Sequence, residues 1–225
     1  MVPELHKEKI RLIAFDIDGT IFSSEDIILD TYREAFLEFK EETGSNLELP
    51  SQEALMAEIG KPVKTIFKNL LPELSESNRD IISGKVLDIL CRKIKNGEGH
   101  PYPDIKVVIE ELYKKKFFIA AASNGRYPYI ETILNVLDIF SLFHQVIVLD
   151  YKERLVKADL LAYYKKIYQL KSEEILMVGD RFSDWEAADR ENTPFLYCNY
   201  GHAIKGEIPN FSHEISSFKK ILEIF

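Results

Sequence analysis

The sequence predicts an α/β protein: a doubly wound parallel sheet with an all-helical segment inserted after its first strand. Three observations predict it. Short continuous apolar runs occur once near the start of the chain and four times in its second half. Amphipathic helical patterns alternate with the later runs. The stretch from residue 23 to 96 carries helical periodicity and no strand run. Continuous apolar runs of this length suit strands covered on both faces. Their alternation with helices makes βαβ units and hence a Rossmann-like sheet.

The elements follow in order. Residues 11–15 form the first run and end in Asp16-Ile17-Asp18-Gly19-Thr20, a strand followed by a turn. Residues 26–43 place Ile28, Tyr32, Ala35, Phe36 and Phe39 on one side of a helix, with Gly44 as its stop. Residues 51–59 begin with a cap-like Ser51 and end at Gly60. Residues 62–71 and 75–94 complete the helical segment. A helix at 104–116 leads into the strand run 117–122, which stops at Ser123-Asn124-Gly125. A helix at 129–137, a strand at 145–149 and a helix at 157–168 come next. The run 175–178 stops at Gly179-Asp180, and Ser183 or Asp184 is placed to cap a helix that reaches Glu191. The last run, 195–198, follows Pro194. The expected division is an α/β core of residues 1–22 and 97–225 and a helical module of residues 23–96.

Composition limits the function classes. The chain has 225 residues, 46% hydrophobic and 29% charged, which reads as an ordinary soluble globular protein. Acidic residues outnumber basic ones 37 to 29, giving a net charge of −8, so neither a nucleic-acid polymer nor an anionic membrane is the expected partner. The apolar runs are too short to span a bilayer, and the N-terminus has no apolar leader segment. Two cysteines in unrelated contexts and five histidines without ligand spacing suggest neither disulfide nor zinc, and a reducing cytoplasm is the expected location. No coiled-coil seam is legible, so a monomer or weak dimer is expected.

Ligands of an open parallel sheet bind beyond the C-terminal strand ends. The chemistry-bearing residues stand there: Asp16 and Asp18 after the first run, Ser123 and Asn124 after the second, Asp180 and Asp184 after the fourth, with Lys157 opening a later helix. Carboxylates converging on one crevice repel unless a cation joins them. Hard oxygen ligands point to Mg²⁺.

These four segments, Asp16-Ile17-Asp18-Gly19-Thr20, then Ser123, then Lys157, then Gly179-Asp180-Arg181-Phe182-Ser183-Asp184, resemble in type and order the haloacid dehalogenase superfamily of phosphohydrolases. The helical insertion resembles the small cap of phosphoglycolate phosphatases and β-phosphoglucomutase. One departure is that Ala158 follows Lys157 where many relatives have proline, which leaves Lys152 as the other lysine to consider. The resemblance implies that Asp16 is the nucleophile and Asp18 the general acid and base. It implies Mg²⁺ on Asp16, the Asp18 carbonyl, Asp180 and Asp184, and phosphate contacts from Ser123, Asn124 and Lys157. In capped relatives a turn such as Gly60-Lys61-Pro62 faces the site, so Lys61 becomes a candidate for substrate selection. The implied function is a Mg²⁺-dependent phosphatase of a small phosphorylated metabolite, such as a sugar phosphate, phosphoglycolate or a nucleotide. A phosphosugar mutase uses the same residues, and a non-hydrolytic phosphoacceptor or binding protein is the remaining alternative. Dehalogenases of the superfamily typically lack the second aspartate, because a halide leaving group needs no proton.

Overall fold

Strand alternation decides the layers. The computed structural model describes residues 2–225. In β1 (Leu12–Phe15) every side chain is buried, yet the four divide between two apolar clusters. Ile13 and Phe15 face one layer of helices, Leu12 and Ala14 the other. β4 (Phe118–Ser123) and β6 (Ile175–Gly179) repeat the division, with Ile119, Ala121, Leu176 and Val178 on the first face and Ala120, Ala122, Ile175 and Met177 on the second. A period of two in a strand with no polar face is what a sheet buried on both sides requires.

With β5 (Gln145–Val148), β7 (Phe195–Cys198) and β8 (Glu214–Ile215), these strands form one parallel sheet of order β5-β4-β1-β6-β7-β8. Phe15 stands level with Ala121 on one side and Val178 on the other, so the chain segments after all three strands open at one edge. Helices α5 (Ile105–Lys114) and α6 (Tyr127–Val136) bury Val108, Ile109, Ile130 and Ile133 on the first face. Helices α7 (Lys157–Tyr168) and α8 (Phe182–Glu191) bury Leu160, Leu161, Ala187 and Ala188 on the second.

Four helices fill the insertion: α1 (Glu25–Thr43), α2 (Gln52–Glu58), α3 (Val63–Leu70) and α4 (Glu76–Lys95). Ser51 and Ser75 accept hydrogen bonds from the amides of Ala54 and Asn78 at 3.1 and 3.2 Å, the N-cap arrangement. α1 packs on α4, and α4 packs in turn on α6 of the sheet layer. Tyr32 and Phe67 stack at 5.7 Å inside the insertion. The chain enters and leaves it through two paired segments, β2 (Phe22–Ser23) and β3 (His100–Pro101), joined antiparallel.

The start of α8 differs from expectation, as do the start of α6 at Tyr127 and the end of α5 at Lys114. α8 begins at Phe182 with Arg181 as its N-cap residue, so neither Ser183 nor Asp184 caps it by position. Asp184 sits one turn in and reaches back to the amides of Asp180 and Arg181 at 3.0 and 2.9 Å. The two-residue strands β2, β3 and β8 and the short terminal helix α9 (Ile221–Ile224) carry too little periodicity to be legible in sequence. Among the described residues no helix is long and apolar enough to cross a membrane.

Candidate active site

Asp16 follows β1 while still in the ladder, its amide donating to the Val178 carbonyl at 2.9 Å. Beyond it the amides of Ile21 and Phe22 converge on the Ile17 carbonyl at 2.8 and 3.0 Å, and the chain turns sharply. Gly19 makes the turn possible. Its φ is +80°, and a Cβ there would lie 2.1 Å from Asp180 Oδ2. Any side chain would therefore occupy the place of the Asp180 carboxylate.

Strand ends bring the acids together. Asp16, Asp180 and Asp184 are each at most 2% exposed, and each offers an oxygen within 4.8 Å of the others. Asp180 accepts from Thr20 Oγ1 at 3.1 Å and from the His202 amide at 2.7 Å. Asp184 Oδ2 takes the two amides of its own turn, and Asp184 Oδ1 takes the Lys157 ammonium group. Lys157, 3% exposed, also meets Asp16 Oδ1 at 2.9 Å. Lys152 is exposed in the turn before α7, and of the two lysines it is Lys157 that meets the acids.

Charge does not balance in this crevice. Burial raises the pKa of Asp16 against the pull of Lys157. Burial, then the charges of Asp184 and Asp16, push Asp180 well above the carboxylate range. Burial and the Asp16 charge raise Asp184 to about 6. Burial opposes the charge on Lys157, but Asp16 and Asp184 outweigh it and hold the ammonium form. One ammonium group thus faces three buried carboxylates, and Asp16 Oδ2 is buried with no hydrogen-bond partner. An all-oxygen donor set with surplus negative charge and a free carboxylate oxygen fits a hard divalent cation.

Asp18 lies two residues on and turns away from the acid cluster. Its Oδ1 accepts from Tyr129 Oη at 2.5 Å and Ser24 Oγ at 3.3 Å. Burial raises its pKa, and these two bonds work against the rise. Ser123 is 2% exposed and its hydroxyl accepts from the Gly125 amide at 3.1 Å. Asn124 donates through Nδ2 to the Gly60 carbonyl at 2.7 Å, and its buried Oδ1 has no partner. Gly60 and Lys61 line the same cavity as Asp16, Asp18, Ser123 and Asn124. Lys61 Nζ does not reach the acids; it pairs with Glu58 at 2.7 Å.

Three contacts escaped the sequence. Tyr129 lies in the first turn of α6, and its hydroxyl reaches Asp18 at the end of β1. Arg181 joins Glu207 at 2.7 Å and donates to the Ile59 carbonyl at 2.8 Å. The His202 amide belongs to the segment after β7, a strand end where the residue types alone give no chemical signal.

The chain matches the haloacid dehalogenase-like hydrolase family over residues 13–198 and belongs to it. It is 25% identical over 228 residues to a phosphoglycolate phosphatase of Vibrio parahaemolyticus, covering 97% of each chain. It is 28% identical over 200 residues to the pyrophosphatase PpaX of Listeria welshimeri, covering 88% of this chain and 86% of the other. Its fold is similar to the crystal structure of a predicted phosphoglycolate phosphatase from Haemophilus somnus, with a TM-score of 0.82, 21% identity and coverage of 97% and 99%.

Proposed function

We propose that this chain is a Mg²⁺-dependent phosphatase of a small phosphorylated metabolite, working through an aspartyl phosphate on Asp16. The observation that carries the reading is Asp16 itself: a buried carboxylate with one oxygen on Lys157 and the other free of any partner, at the floor of a cavity that Asp18 also lines. The relatives named above act on a phosphate ester and on pyrophosphate, which supports transfer of a phosphoryl group to this floor.

The free oxygen of Asp16 attacks phosphorus in line with the ester bond, which breaks as the alcohol leaves. Asp18, protonated at this stage, gives its proton to the departing oxygen. Water then attacks phosphorus of the aspartyl phosphate, Asp18 takes its proton, and the bond to Asp16 breaks to release phosphate. Mg²⁺ held by Asp16, Asp180, Asp184 and the Asp18 carbonyl would offset the phosphoryl charge that otherwise repels the attacking carboxylate. Lys157 fixes Asp16 and places positive charge beside the transferred group, while Ser123 and Asn124 supply hydrogen bonds to its oxygens. Residues 23–96 act as the cap over a core of residues 1–22 and 97–225, with β2 and β3 as paired connections on which it closes. Lys61 contributes to substrate selection from the cap side. The enzyme works in the cytoplasm as a monomer or weak dimer.

Release of p-nitrophenol from p-nitrophenyl phosphate tests the reading. Turnover is expected with Mg²⁺, loss in excess chelator, and recovery on adding Mg²⁺ back. Full activity in chelator overturns the metal, and absence of release under every condition overturns the phosphatase.

A further inference from the structure

Two hydroxyl groups share one oxygen of Asp18. Tyr129 Oη donates to Oδ1 at 2.5 Å, and Ser24 Oγ donates to the same atom at 3.3 Å. A carboxyl oxygen has two lone pairs, so two donors fill it. Oδ2 takes no hydrogen bond among the described residues and is not sealed off, which leaves it to the cavity that Asp18 lines. The cap side of that cavity is chiefly hydrocarbon, from Ile28, Phe67, Val86 and Leu90 among others, and hydrocarbon offers an acid proton no acceptor. The two donors are not equivalent. Ser24 stands on the chain between β2 and α1, and its bond is the longer one. Tyr129 is 6% exposed in the first turn of α6, and its ring lies against Gly125, where a Cβ would come within 3.3 Å of Cδ1. The neighbouring Pro128 carbonyl accepts from Cys91 Sγ of α4, so the cap closes over this turn. A ring packed in this way holds its hydroxyl at one place.

We propose that Tyr129 is a positioning residue for proton transfer: by occupying Oδ1 it turns Asp18 so that Oδ2 gives the proton to the departing alcohol and takes the proton of the incoming water. The inference rests on the phosphatase reading above. In the first step the Oδ2–H bond breaks, and the ester oxygen gains that proton as its bond to phosphorus breaks. In the second, a water O–H bond breaks as the water oxygen attacks phosphorus, and the proton returns to Oδ2. Oδ1 keeps its two donors throughout. Tyr129 exchanges no proton itself; it acts through the direction in which Asp18 faces, and proton transfer depends steeply on that geometry.

Tyr129→Phe removes the hydroxyl and keeps the ring that fills the site. Single-turnover measurements with Mg²⁺ on isobutyl phosphate and on p-nitrophenyl phosphate isolate the first step. The variant is expected to lose roughly tenfold to a hundredfold on isobutyl phosphate, whose alcohol leaves poorly without a proton, and less than about threefold on p-nitrophenyl phosphate. In the Asp18→Asn background the same change is expected to cost less than about twofold on either ester, because a side chain without a transferable proton gains nothing from its direction. A purely structural role would slow both esters alike and would persist in that background. Ser24→Ala is expected to lose less than Tyr129→Phe on isobutyl phosphate. Equal losses on the two esters, no loss on isobutyl phosphate, or an undiminished further loss in Asp18→Asn overturns the proposal. A larger loss in Ser24→Ala than in Tyr129→Phe gives the hold to Ser24 and overturns it as well. If the wild type releases p-nitrophenol while these ratios fail, only this inference falls. If the wild type hydrolyses neither ester, the phosphatase reading falls and takes this one with it.

Discussion

The floor and the roof of this site are built by opposite means. On the floor, Asp180 and Asp184 have both carboxylate oxygens held by named donors, and Lys157 ties Asp16 to Asp184. On the roof, apolar side chains make the wall, and polar attachment to the core runs largely through backbone carbonyls. Ile59 takes Arg181, Gly60 takes Asn124 at 2.7 Å and Ser183 at 3.4 Å, and Ser83 takes Arg126. On the proposed reading, a floor of fixed charges acts on the group common to every phosphate ester and costs no rearrangement during reaction. On the same reading, a roof of dispersion contacts and a few carbonyl bonds can part and re-form, and it is the part that meets what differs between substrates. Changes on the floor should therefore remove activity, and changes on the roof should redistribute it.

The sharpest break is Asp16→Asn. It keeps shape and burial but removes the proposed nucleophile, so turnover of p-nitrophenyl phosphate should drop by about 10⁶-fold, below detection. Wild-type rate in this variant would sink the covalent route. Asp18→Asn comes next, with an expected loss of roughly 10² to 10⁴ in kcat on alkyl phosphates. Its first step should suffer less on p-nitrophenyl phosphate, whose leaving group needs little protonation. Equal damage on both substrates in single-turnover measurements would remove Asp18 from the acid role.

The metal test needs no turnover. At 100 times its Kd, a bound cation adds about 2.7 kcal/mol, which in a chain of this size raises Tm by about 5–10 °C. The wild type should show that shift with Mg²⁺ in a thermal melt, and Asp180→Asn should lose most of it. An equal shift in both proteins would place the cation elsewhere.

The same contrast explains what sequence revealed. The floor was legible because sheet topology sends every strand end to one edge, and Asp16, Asp18, Ser123, Asp180 and Asp184 stand at those ends. Lys157 was legible from its place in the order of motifs. Strands were legible because burial on both faces leaves unbroken apolar runs. The roof was legible only as helices. Which faces of α1 to α4 line the cavity depends on how they pack on each other and on α6, and no local period encodes that. Tyr129 shows the difference: its helix was predicted, but its bond to Asp18 spans 111 positions of sequence. The turn of α8 was misplaced because Asp184 has the residue type of a cap while its side chain reaches back from inside the helix.

On the roof, Gly60→Ala should act moderately. Gly60 has φ +88°, and a Cβ there would lie 3.1 Å from Arg181 Cγ. Alanine brings backbone strain and crowds the side chain that holds the Ile59 carbonyl. A loss of about 1 kcal/mol in a urea titration is expected, with a few-fold fall in kcat/KM. Unchanged stability and rate would mean that the turn does not fasten roof to floor.

Lys61→Ala should have the smallest effect and the most specific one. The Lys61 ammonium group sits 2.7 Å from Glu58, with the two side chains 39% and 12% exposed. A pair at that exposure contributes up to about 1 kcal/mol, and much less where water screens it. Removing the lysine leaves Glu58 on Asn69 alone, so the rim of the cavity gains an uncompensated negative charge. That charge repels phosphoglycolate and is indifferent to isobutyl phosphate. The ratio of kcat/KM for isobutyl phosphate over phosphoglycolate should therefore rise, by no more than about fivefold at low salt and by less at high salt. If the ratio moves toward phosphoglycolate instead, the charge of the Lys61–Glu58 pair is not what acts on the leaving group. A loss of equal size on both esters, unaffected by salt, would make the pair a brace for the turn and not part of the selection.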